Sequence, residues 1–114
     1  MTAFGSYAKE NHKHILEKDP DHYWIFRYPT SDDEIYIEKL MRNSPTHTEL
    51  MTAELAVTFA GSNITVEETG EVFISEDDMI FERLEKIRQL PRSLVLELAL
   101  ALNDFNSEWG AVEE

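Results

Sequence analysis

The apolar positions of this chain recur with helical spacing over most of its length, and the densest run lies near the end. From Ser75 to Leu90 the sequence is SEDDMIFERLEKIRQL. Ser75 is suited to cap a helix there, and Glu76, Asp77 and Asp78 put negative charge at the positive end of its dipole. Met79, Ile80, Leu84, Ile87 and Leu90 then make one greasy face, with Phe81 on a flank and Glu82, Arg83, Lys86 and Arg88 outside. Pro91 stops this helix and suits the first turn of another. Between Leu94 and Leu102 only Glu97 is polar. A helix on a globular surface needs one apolar stripe, and this one is apolar nearly all round. It is far shorter than the roughly 20 residues that span a bilayer. The segment is therefore the central helix of the fold, or part of it meets another chain. A small domain surrounds one helix completely only with difficulty.

Upstream, His22 to Tyr28 (HYWIFRY) alternates as a strand, with Trp24, Phe26 and Tyr28 on the face expected to pack inward. Thr30 or Ser31 can cap a helix carrying Ile35, Ile37, Leu40 and Met41, which Asn43, Ser44 and Pro45 end. Thr46 and Glu49 have the spacing of a capping box for a helix reaching Ala60, with Gly61 as its C-cap. Asn63 to Ile74 reads as a hairpin around a Glu67–Gly70 turn. Ser6 to Lys18 is weakly patterned and reads as a short helix. The expected architecture is α+β, mainly α: about four helices and a small antiparallel sheet made of the lone strand and the hairpin. Residues 1–21 are expected as a loosely attached polar segment, 22–106 as one globular domain, and 107–114 as a frayed acidic tail.

Charge narrows the possible partners. The chain has 114 residues, 10 basic and 23 acidic, for a formal charge of −13. That is the opposite of a nucleic-acid footprint and is unsuited to anionic membranes. There is no cysteine, hence no disulfide, thiolate metal site or cysteine nucleophile. No apolar run marks the N-terminus as a signal peptide, so a cytoplasmic protein is expected.

Candidate chemistry is sparse. His12 and His14 lie near Glu10, Glu17 and Asp19, but on a helix residues two apart diverge, and no metal site is expected. The acidic triplets Asp32–Glu34 and Glu76–Asp78 fit helix starts better than a catalytic pair. No nucleotide-binding, nucleophile-elbow or zincin motif is present. No enzyme activity and no cofactor are expected. The excess of apolar residues points instead to protein binding.

One pattern carries a family likeness. A strand ends in Arg27-Tyr28-Pro29-Thr30-Ser31-Asp32-Asp33-Glu34 and leads into a charged helix. TELMTAELAVTFAG follows, then an acidic-capped helix, a Leu-Pro break and a leucine-rich helix ending in Leu-Asn-Asp-Phe-Asn. Across residues 22–106 this resembles the small tail assembly chaperones of long-tailed bacteriophages. The resemblance implies a non-enzymatic protein that coats the helical tape measure protein, helps recruit tail tube protein and is absent from the finished virion. It also implies a longer form made by ribosomal frameshifting. The alternatives are a virion structural or completion protein, and an acidic inhibitor or antitoxin-like protein occupying a basic groove. A homo-oligomer is compatible with each. The expected protein-binding surface is Leu94, Val95, Leu98 and Leu102, with Ile87 and Leu90 beside them.

Overall fold

The computed structural model describes residues 9–110. Among the described residues four helices accompany a three-stranded antiparallel sheet, in the order β1 (His12–Ile15), β2 (Tyr23–Phe26), α1 (Ser31–Met41), α2 (His47–Val57), β3 (Phe59–Ser62), α3 (Ile80–Arg88) and α4 (Arg92–Phe105). The α+β, mainly α architecture is as expected, but two of the three strands are not where the sequence pattern put them. Among the described residues no helix is long and apolar enough to cross a membrane.

β2 is the middle strand, antiparallel to both neighbours. Its alternation does what the sequence implies. Trp24 and Phe26 are fully buried against the helices, and Trp24 meets Phe59 of β3 edge to face at 4.9 Å. Strand β1 replaces the expected N-terminal helix, whose part before residue 9 lies outside the described residues. His12 to Ile15 pair with Phe26 to Tyr23. A polar HKHI segment has little strand preference of its own, but the unpaired edge of β2 offers it a full ladder of backbone partners. Leu16, just after it, is buried in the core. The described part of residues 1–21 is therefore tied to the domain rather than loosely attached.

The β2–α1 corner is fixed by charge. Thr30 and Asp33 form a reciprocal capping box, and Arg27 donates two bonds to the Asp33 carboxylate, at 2.7 and 2.9 Å. Burial opposes a charge on Asp33, but the Arg27 guanidinium and the Thr30 N–H outweigh it and hold the carboxyl below its ordinary range. Helix α1 itself is peripheral. Ile37 is buried, while Ile35 and Met41 are exposed.

The centre of the fold is α2, not α4. Thr46 and Glu49 cap it as expected, and every residue from Met51 to Val57 is buried. It packs on α1, α3 and α4. The helix ends at Val57, three residues before the expected Ala60. The Thr58 hydroxyl donates to the Glu54 carbonyl at 2.6 Å, and the chain turns straight into β3. Gly61 is thus a strand residue rather than a helix C-cap, at a φ of 153°.

The expected hairpin forms as a short ladder outside the sheet: Thr65 bridges Val72, the Phe73 N–H donates to the Ile64 carbonyl and the Val66 N–H to the Glu71 carbonyl, each at 2.8 Å, and the Gly70 N–H closes the turn on the Val66 carbonyl. The next helix also starts late. Ser75 does not cap it. Instead the Ser75 N–H donates to Asp78 Oδ2 at 2.9 Å and Asp77 N–H to Ser75 Oγ at 3.1 Å, closing a separate turn. Such local bonds compete with helix formation. Helix α3 begins at Ile80, so Met79, Ile80 and Phe81 are exposed and only Ile87 is fully buried. Asp78 is then held by Lys86 at 2.7 Å. Partial burial raises its pKa, but Lys86 and the Ser75 N–H lower it more.

The expected frayed tail is ordered as far as it is described. After α4 the chain folds back, Trp109 is buried, and its indole N–H donates to Glu34 Oε1 on α1. Residues 111–114 lie outside the described residues.

Candidate protein-binding groove

Helix α4 has two usable faces. Val95, Leu98, Ala99 and Leu102 recur at i, i+3, i+4 and i+7 and are buried in the core. Ser93, Leu96, Glu97, Leu100, Ala101 and Asp104 recur with the same spacing on another side and line an open groove. The opposite walls are β1 with the loop that follows it, and the Ile64–Glu67 segment. The groove has a volume of about 750 Å³.

Its floor is apolar. Leu16, Ile64, Leu94, Leu96 and Leu100 line it, and Leu100 is 52% exposed. A leucine this open, set among other leucines, leaves apolar surface in water that a partner could cover.

Polar groups frame that floor. His14 Nε2 lies 2.6 Å from Glu97 Oε2, and the Glu17 N–H donates to the same oxygen at 3.1 Å. Glu97 therefore holds β1 and its loop to α4. His12 stacks on Phe105 with ring centroids 5.8 Å apart. Lys9 Nζ donates to the Phe105 carbonyl at 2.7 Å, placing a cation at the negative end of α4. His22 Nδ1 lies 2.6 Å from Asp19 Oδ2 in the loop between the strands. On a strand, residues two apart share a face, so His12 and His14 both line the groove, contrary to the divergence expected of a helix. Among the described residues no group of three or more His, Cys, Asp or Glu is placed to hold a metal ion.

The surface expected from the sequence is not assembled. Ile87, Val95, Leu98 and Leu102 belong to the core, so they do not form an open binding face. The hydrophobic effect that made them attractive as a docking stripe is already satisfied within the chain. Leu94 is half-buried and lines the groove described above. Ile87, Leu90 and Val95 instead border a smaller hollow of about 380 Å³, beside Met51 and the start of α2. Leu98 and Leu102 line neither.

Leu16, Leu96, Glu97 and Leu100 were missed as groove residues. A signal for them was present. Ser93, Glu97 and Asp104 are the polar residues of one helical side, spaced four and seven apart, and they mark the side that faces water. Of the leucines interleaved with them, Leu100 is exposed and Leu94 and Leu96 are half-buried.

The chain matches no family model, and no curated protein or solved structure is significantly similar to it.

Proposed function

We propose that this chain is a non-enzymatic assembly chaperone, of the kind that serves long-tailed bacteriophages, and that it holds an apolar stripe of a helical client in the groove beside α4. The observation that carries this proposal is Leu100, half exposed in a groove whose other apolar lining residues are Leu16, Ile64, Leu94, Leu96 and Ala101. A concave apolar trough between a helix and a strand suits the helix-in-groove mode of recognition. The formal charge of −13 supports a solubilising role, since like-charged complexes resist coalescence. The sequence pattern across residues 22–106 adds the identity of the client, the tape measure protein, with tail tube protein as the recruited subunit. The site of action is then the host cytoplasm.

Co-expression with a tape measure protein tests this directly. The client is expected in the soluble fraction only when the chain accompanies it, and the chain is expected to be absent from purified virions by mass spectrometry. A client that stays insoluble beside the folded chain overturns the chaperone role. Stoichiometric retention in virions assigns the chain to the particle instead.

A further inference from the structure

We infer that the groove selects an amphipathic helix whose apolar stripe is bordered by lysine or arginine. This rests on the proposed function and adds the chemistry of the partner. The groove joins a leucine floor to an acidic frame. Glu17 and Asp19 come from the loop after β1, Glu67 from the segment after β3, and Glu97 and Asp104 from α4. Lys18 is the one lysine or arginine among the lining residues. A helix with glutamates beside its stripe would meet like charge on several elements. A helix with lysines there would meet carboxylates.

Glu97 is the central determinant. Its side chain is only 16% exposed, on the groove side of α4. Among the described residues its hydrogen bonds, from His14 and from the Glu17 N–H, fall on Oε2. Oε1 is left to accept from a cation carried by the partner. An ion pair made there, beside an apolar floor, is screened less than one at an open surface. The run from Ser93 to Asp104 is about 16 Å of helix, matching roughly three turns of a docked helix.

The test uses the full chain and three labelled synthetic helical peptides, read by fluorescence anisotropy. One has a leucine stripe bordered by lysines. The second has the same stripe bordered by glutamates. The third keeps the lysines and replaces the leucines with serine. The lysine-bordered leucine peptide is expected to bind roughly tenfold or more tighter than either of the others. Glu97→Gln should weaken that peptide several-fold and, by removing a repelling charge, strengthen the glutamate-bordered one. Asp104 is exposed, so Asp104→Lys should do the same in an undisturbed fold, which circular dichroism checks. Equal binding of the two leucine peptides overturns the charge selection while leaving the groove as a docking site. Equal binding of the serine peptide and its leucine parent, or no binding of either leucine peptide, overturns both.

Discussion

His14 on β1 and Glu97 on α4 meet at 2.6 Å across 83 residues of sequence. That contact makes one wall of the groove from a strand with few other ties to the helices. His14→Ala removes it, at an expected cost of about 1 kcal/mol for a part-buried bond to a carboxylate. Amide hydrogen exchange is expected to rise over His12–Ile15 more than over α2. Unchanged exchange in β1 would show that strand pairing alone holds the wall in place.

Gly110 crosses α4 with no room for a side chain. At its φ of 84°, a Cβ would lie 2.4 Å from the Ala99 carbonyl oxygen and 2.7 Å from the Asn103 nitrogen. Gly110→Ala is therefore expected to lift the segment carrying Trp109 off the helix, or to destabilise the fold by about 2 kcal/mol. In a Trp24→Phe background the emission of Trp109 should shift to the red. Emission and unfolding midpoint both unchanged would mean that this end does not pack on α4.

Acid should weaken the fold through Asp33 and Asp78. Both carboxyls are held below the ordinary aspartate range, Asp33 by Arg27 and the Thr30 N–H, Asp78 by Lys86 and the Ser75 N–H. A lowered folded pKa contributes stability that is complete above the unfolded value and is lost as the pH falls through the folded one. Stability is thus expected to be level near neutrality and to fall below about pH 4. Asp33→Asn, which removes the fork from Arg27, should be less stable at neutral pH by about 2 kcal/mol and lose less on acidification. Urea unfolding at the two pH values measures this. An equal loss in the variant would assign the acid sensitivity to other groups.

The two polar-capped helices and the aromatic strand could be read directly from the sequence. Thr46 with Glu49, and Thr30 with the acidic residues after it, satisfy helix ends by local bonds, so neighbouring residues suffice to identify them. The alternation of Trp24 and Phe26 is equally local. What could not be read depends on distant partners. HKHI becomes a strand because β2 has an open edge. The helix through Ala53 ends at Val57 because Phe59 is needed against Trp24. Glu54 and Thr52 disguised α2, whose buried side chains run all the way round. In α4 both sides are apolar, so counting leucines could not tell the core face from the groove face. The expected binding surface therefore took in Leu98 and passed over Leu100.

That distinction gives a stability prediction of its own. Leu98 is fully buried, so Leu98→Ala should cost about 3 kcal/mol, whereas Leu100→Ala should change stability by less than about 1 kcal/mol. Thermal unfolding of the two variants side by side measures the difference. Equal losses would contradict the division of α4 into two faces.

The central claim is that Leu100 presents an apolar docking site which the folded chain leaves open. Binding of the Leu100→Asp variant to the client, measured beside its circular dichroism spectrum and melting curve, tests it most directly. The account predicts a native spectrum, a nearly unchanged melt and affinity lost by roughly tenfold or more. A native spectrum with undiminished affinity would contradict it, and so would a variant that fails to fold, because Leu100 would then belong to the core.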